Sequence, residues 1–187
     1  MKAIGVVGSP RKNGNTEMLT AHALQAIAEE GMETELVRLA GLDIRPCNAC
    51  MTCRDEERCP IEDDLFPVYL KMKAADAIIL SSPVYFGSCT AMMKAFIERT
   101  GYLGRPKNVF AGKVGGPMVV ARRAGKNFTF AQMLFWFHIM DMVMPGSSYW
   151  NVAIGREKGE VQNDKEGLNT AWHFGKNIAG LLKKLHV

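Results

Sequence analysis

The 187-residue chain predicts a doubly wound α/β fold on a five-stranded parallel sheet of order 2-1-3-4-5. Three observations predict it. Strand and helix patterns alternate along the whole chain. The strands are short, near-continuous apolar runs, as expected of a sheet covered on both faces. Polar, glycine-bearing loops follow the first and third strands, where this order would place its switch point.

The elements follow in turn. Lys2 to Val7 is an apolar strand. Thr16 to Glu30 carries Met18, Leu19, Ala23, Ala26 and Ile27 at helical period, and Gly31 supplies the stop. Thr34 to Leu39 is the second strand, followed by a cysteine loop. Asp63 or Asp64 caps a helix running to Lys73. Ala77 to Leu80 is a third, buried strand. Ser88 or Thr90 opens a helix to Thr100, and residues 101–112 form a connection bearing Gly and Pro. Pro117 to Ala121 is the fourth strand, and Asn127 to Met140 a helix apolar on most faces. Ser147 to Ile154 holds the fifth strand, and Gly167 to Leu185 the last helix. No linker or low-complexity segment divides residues 1–187, so one domain is expected, with the cysteine loop 47–59 inserted after strand 2.

Composition narrows the function. With 48% hydrophobic and 22% charged residues the chain is ordinarily globular. A net charge of +4 mildly favours anionic ligands, but no run of like charge marks a nucleic-acid or membrane surface. The apolar run at the N-terminus is too short for a signal peptide. The longest apolar stretch, Phe128 to Met144, is interrupted by Gln132, His138 and Asp141, which argues against a membrane span. A cytoplasmic, reducing location is expected, which disfavours structural disulfides. His22, His138, His173 and His186 are scattered, without the spacing of a metal site or a triad.

The loop after strand 1 reads Gly8-Ser9-Pro10-Arg11-Lys12-Asn13-Gly14-Asn15-Thr16 and runs into a helix. Backbone N–H groups at a helix start form an anion site, and here Ser9, Asn15 and Thr16 add neutral donors and Arg11 a charge. The loop suits one phosphate monoester. It is not a Walker A loop, because five residues separate its glycines and Asn15 stands where the lysine belongs. The dinucleotide Gly-x-Gly-x-x-Gly is absent. The loop after strand 3 reads Ser81-Ser82-Pro83-Val84-Tyr85-Phe86-Gly87-Ser88. Its aromatic, apolar surface and backbone donors suit a planar heteroaromatic ring.

Gly-Ser-Pro-Arg-x-x-Gly-Asn-Thr together with Ser-Pro-Val-Tyr-Phe-Gly resembles the NADPH-dependent FMN reductase family of flavodoxin-like proteins. The likeness covers essentially the whole chain and includes Ala121 to Lys126 ahead of an apolar helix. It implies a flavodoxin-like three-layer sandwich that binds FMN. The phosphate would lie at Ser9, Arg11, Asn13, Asn15 and Thr16, and the ring against Pro83, Val84, Tyr85, Phe86 and Gly87 and against Ala121, Arg122 and Gly125. Arg122 or Arg123 near the ring would raise its potential. The likeness also implies a homodimer or homotetramer, which fits the very apolar stretch Phe128 to Phe137.

Cys47, Cys50, Cys53 and Cys59 are too closely spaced for packing alone. The first three match the spacing of a ferredoxin run, while five residues precede the last. An iron–sulfur cluster, a zinc ion, a disulfide and a redox pair are the chemistries open to them. The loop resembles that of the iron–sulfur flavoprotein branch of the same family, which implies a 4Fe–4S cluster on these four thiols. Cluster-free members keep several cysteines here too. Cys89 lies outside the set and is expected to be a buried small side chain. The expected function is an FMN-dependent oxidoreductase passing electrons between NAD(P)H or a ferredoxin-like donor and an acceptor. The alternatives are a cluster-free NAD(P)H-dependent FMN or quinone reductase and a non-enzymatic electron carrier. Flavin carries the chemistry, and no catalytic side chain is expected.

Overall fold

Successive residues of a strand point to opposite faces, and here each face is apolar. Ile4, Val6, Ile78, Leu80 and Val119 enter one core; Ala3, Ala77, Ile79, Met118 and Val120 enter the other. This is why the strands read as continuous apolar runs. The computed structural model describes residues 1–185, so His186 lies outside the described residues. Strands β1 (Lys2–Val7), β2 (Glu33–Arg38), β3 (Ala77–Pro83), β4 (Val114–Ala121) and β5 (Val152–Ile154) form one parallel sheet. Its order is β2-β1-β3-β4-β5, as expected.

Helices α1 (Asn15–Ala28) and α5 (Lys165–Leu185) cover one face. Ala171, Phe174, Ile178 and Leu182 give α5 its buried stripe. Helices α2 (Leu65–Ala74), α3 (Ala91–Gly104) and α4 (Lys126–Ile139) cover the other. There Tyr69, Phe110, Trp136 and Phe137 form a chain of tilted and edge-on aromatic contacts. Among the described residues no helix is long and apolar enough to cross a membrane.

Several boundaries differ from expectation, among them β3, which continues past Leu80 to Pro83. α3 runs past Gly101 to Gly104 because Leu103 is needed in the core; Pro106 and the left-handed Asn108 then end the helical path. β4 starts at Val114, not at Pro117. The Gly115 N–H donates to the Val143 carbonyl and the Val119 N–H to the Asn151 carbonyl. Odd residues of β4 therefore donate towards the β5 side, and the donor that Pro117 lacks would face a stretch with no paired strand. For the same reason β5 pairs only from Val152, and residues 147–151 of the expected strand form a loop.

α1 is tied to β2 by one buried carboxylate. Glu17 accepts from Arg38 Nε at 2.8 Å and Nη2 at 2.7 Å, and from the Asn13 N–H at 2.9 Å. This pins the loop ahead of α1, where Asn13 takes a left-handed backbone. The Arg38 hydrogen bonds hold the Glu17 carboxyl below its usual value, against the upward push of burial.

Two outcomes are expected. A Cβ on Gly115 would stand 1.9 Å from the Ile78 carbonyl oxygen. Gly115→Ala therefore forces β3 and β4 apart and should cost about 3 kcal/mol, read as a fall in the urea midpoint. Glu17→Gln should cost about 1 kcal/mol at neutral pH, a modest value because Arg38 is half-exposed. Because the folded value is depressed, this contribution is present above the usual 4.5 and is lost as pH falls through the folded value. Urea unfolding at a series of pH values should show the variant and wild type converging in acid.

Candidate functional site

The carboxyl ends of the parallel strands open on one edge, and their loops meet there. The loops after β1 and β3 are joined at the base. The Gly8 N–H donates to the Ser81 carbonyl at 2.8 Å, and the Thr90 hydroxyl donates to the Gly8 carbonyl at 2.6 Å. The Thr90 N–H donates to Ser82 Oγ at 3.0 Å. Thr90, one of the two expected caps of α3, also accepts from the Met93 N–H.

Beyond this junction lies a cavity of about 230 Å³. Of the residues expected to bind the cofactor, Ser9, Arg11, Asn15 and Thr16 line its polar side. Pro83 at the end of β3 and Val84 and Tyr85 of the loop after it also line it, as do Ala121 and Arg122 at the end of β4. The start of α1 has no side-chain cap, which leaves its first N–H groups for a ligand. Arg11, Arg122 and Arg156 face the cavity, and no carboxylate lines it among the described residues.

Asn13, Phe86, Gly87, Arg123 and Gly125 do not line it. The Asn13 N–H is spent on Glu17. Phe86 and Gly87 form the tip of a tight turn closed by hydrogen bonds between Tyr85 and Ser88. Both take positive φ, which is uncommon for Phe, and Phe86 is fully exposed. Gly125, at φ +84°, lets its loop approach the turn; a Cβ there would stand 2.9 Å from Val84 Cγ1. The turn is further held by Gln132 of α4, whose Oε1 accepts from Ser88 Oγ and the Cys89 N–H. Cys89 is buried, and burial pushes its thiol up.

Val120, Gly155 and Arg156 also line the cavity and were missed. The signal was available, since Gly155-Arg156 follows the fifth strand on the same sheet edge. Asn15 plays a different part from the one expected. Its Nδ2 donates to the Glu157 carbonyl at 2.8 Å, and its Oδ1 accepts from the Gly159 and Val161 N–H groups at 2.9 and 3.3 Å. Its amide thus holds the loop after β5 against the start of α1. Arg11 adds a bond from Nη1 to the Arg156 carbonyl at 3.0 Å.

A second cavity, of about 40 Å³, lies between the cysteine loop and α3. Cys47, Cys50, Cys53 and Cys59 all line it, with Ile61 and Leu103 as apolar wall. All four are free thiols. Ala49 and Met51 take left-handed backbone, which turns the chain sharply between the first three. Burial pushes the Cys53 thiol up, and its three thiol neighbours add to the push. Hydrogen bonds from Thr52, the backbone N–H first, hold Cys50 down. Among the described residues no three His, Cys, Asp or Glu side chains converge on a single ion.

Side-chain bonds hold this loop in place. Glu57 accepts from Tyr69 Oη at 2.8 Å and from Lys73 Nζ at 2.7 Å. Asp64 accepts from the Asp43 N–H at 2.8 Å and Asp63 from the Arg45 N–H at 3.0 Å. Of the two expected caps of α2, Asp63 accepts from the Leu65 N–H at 3.2 Å, while Asp64 makes no capping bond. His22 packs at a tilt against Trp172 across the α1–α5 face, which agrees with a helix-surface role.

The profile described as NADPH-dependent FMN reductase matches residues 1–157. An iron-sulfur flavoprotein of Methanocaldococcus jannaschii is 42% identical over 193 aligned positions, spanning 98% of each chain. One of Methanosarcina thermophila is 35% identical, spanning 98% of this chain and 96% of its own. Among solved structures, a flavodoxin, WrbA-like protein of Agrobacterium tumefaciens superposes with a TM-score of 0.65. It is 18% identical and covers 98% of both chains, a likeness of fold. The chain belongs to the NADPH-dependent FMN reductase family of flavin-dependent oxidoreductases.

Proposed function

We propose that this oxidoreductase passes electrons between NAD(P)H or a ferredoxin-like donor and an acceptor through FMN and a 4Fe–4S cluster. The observation that carries the reading is the pair of cavities, one lined by three arginines and an uncapped helix start, the other by four free thiols. FMN, when bound, supplies a ring that accepts a hydride from a nicotinamide or single electrons from a one-electron carrier.

In this reading Ser9, Thr16 and the first N–H groups of α1 hold the phosphate, and Arg11 and Arg156 offset its charge. Asn15 keeps the loop after β5 closed on that phosphate. Pro83, Val84 and Tyr85 offer a flat apolar surface to the ring. Arg122 sets a positive charge beside it, and Arg123, off the cavity, does not. The four thiols surround a cavity instead of meeting at one point, which suits a group with a separate iron for each thiolate better than a lone zinc ion. Hydrogen bonds to sulfur, from the Ala49 N–H to Cys47 at 3.4 Å and from Thr52 Oγ1 to Cys50 at 3.6 Å, are of the kind that tunes such a cluster.

α4 leaves Phe128 78% and Phe135 70% exposed, seven residues apart and so on one face of the helix. A patch of this kind marks an interface. We assign it to a second copy of this chain, giving a homodimer or homotetramer.

Protein purified without oxygen should carry FMN together with iron and sulfide, and should sediment as a multiple of the chain mass. A broad absorbance near 400 nm should bleach on reduction and be lost in Cys59→Ala, which keeps its FMN. A flavin spectrum alone, with no iron, would leave a cluster-free NAD(P)H-dependent FMN or quinone reductase. A monomer would remove the interface reading. Arg122→Gln should lower the flavin potential and Arg123→Gln should leave it unmoved, as measured by dye-coupled reduction. Equal potentials in both variants would remove the charge effect assigned to Arg122.

A further inference from the structure

Cys59 stands apart from its partners. Cys47, Cys50 and Cys53 are brought together by one sharply turned stretch, but Cys59 follows only after five more residues, on a surface segment. Local turn geometry alone does not hold it at the cavity.

Arg99 of α3 reaches it from below. The guanidinium is 2% exposed, and Arg is almost never fully buried unless paired. Nη2 donates to Cys59 Sγ at 3.2 Å, to the Ile61 carbonyl at 3.4 Å and to Asp63 Oδ1 at 3.1 Å. Nη1 donates to the Arg45 carbonyl at 3.0 Å and to Asp63 Oδ2. One planar cation thus touches the segments before and after the cysteine run as well as the last thiol. Arg99 is also the only cation lining this cavity among the described residues, and its buried Nε has no partner.

An ion pair this deep does little for stability in itself, because desolvation of both charges offsets their attraction. Asp63 is 1% exposed and already accepts from the Arg45 and Leu65 N–H groups. Backbone donors already serve the carboxylate, and the two Nη2 hydrogens of Arg99 are shared among Asp63, the Ile61 carbonyl and the Cys59 sulfur. Four thiolates around one cavity concentrate negative charge, and a cation beside them favours the more negative redox state.

We propose that Arg99 is a positioning residue of the cysteine site, fixing Cys59 as the fourth cluster ligand and raising the potential of the cluster through its charge and its N–H···S bond. This rests on the cluster reading above. It adds a role for a residue forty positions from the thiol it serves.

The test uses full-length wild type, Arg99→Gln and Arg99→Lys, each purified anaerobically with FMN and cluster loaded. Iron, sulfide and FMN are measured per chain, and the cluster potential is read by titration followed by electron paramagnetic resonance. Arg99→Gln should keep its FMN, shift the cluster potential to more negative values and lose iron to a chelator several-fold faster. Arg99→Lys, which keeps the charge but not the fork, should stay near the wild-type potential and still lose iron faster. Full iron with an unmoved potential and unchanged iron loss in Arg99→Gln would overturn the role of Arg99 and leave the cluster standing. A lower thermal midpoint with both readouts unchanged would do the same, since that is the mark of a purely structural ion pair. Wild type without iron or sulfide would overturn the cluster reading and this proposal with it. Should Arg99→Gln fail to fold, Arg99→Lys decides: iron loss at the wild-type rate would overturn the proposal.

Discussion

The hydrogen bond from the Thr90 hydroxyl to the Gly8 carbonyl is the constraint on which both cavities depend. Thr90 caps α3, bonds Ser82 through its own N–H, and grips the loop after β1. It therefore ties together the two loops that line the cavity at the strand ends. It also sets where α3 begins. Arg99 lies nine residues further along that helix, roughly 13 Å at 1.5 Å per residue. The same helix start thus positions the loop after β3 at one end and the wall of the cysteine cavity further down. No flexible linker intervenes between the two.

Charge is arranged differently at the two sites. At the strand-end cavity Arg11, Arg122 and Arg156 face the opening with no carboxylate among its lining, so the field is positive and available to an anion. Glu17 lies close by, but Arg38 neutralises it from β2 and its remaining capacity holds Asn13. At the cysteine cavity the single cation is buried and shared with Asp63. Burial alone would pull the Arg99 guanidinium down; its bonds to Asp63 and Cys59 outweigh that and raise it. The first arrangement attracts a ligand from solution. The second acts on groups already within the protein.

Much of the fold was legible because strand burial on two faces writes itself as apolar runs, and because glycine and capping residues punctuate the helices. The ends of β4 and β5 were not legible. Whether Pro117 breaks a ladder depends on which side its missing donor faces, and that is settled only by the register with β3. The polar and apolar linings after β1 and β3 could be foreseen from loop chemistry at a switch point. The role of Asn15 could not, because its partners lie more than 140 residues away in the loop after β5. Gly155 and Arg156 were open to discovery by asking which other strand ends at the same edge. Arg99 carried no signal at all: within a helix it reads as one more surface cation.

The cysteine loop shows why such a residue is needed. Between residues 43 and 64 only short helical turns form, and few side chains enter the core. Hydrophobic burial therefore does little to fix this stretch, and its order comes from Glu57, Asp63, Asp64 and Arg99 bonding across it. Bonds of this kind are directional, so they fix the geometry of ligands better than apolar contact would. They are also individually modest, so removal of one should loosen the loop without unfolding the sheet beneath it. A redox centre on this loop would accordingly be set by side-chain chemistry that can vary while the α/β frame and its strand-end cavity stay unchanged.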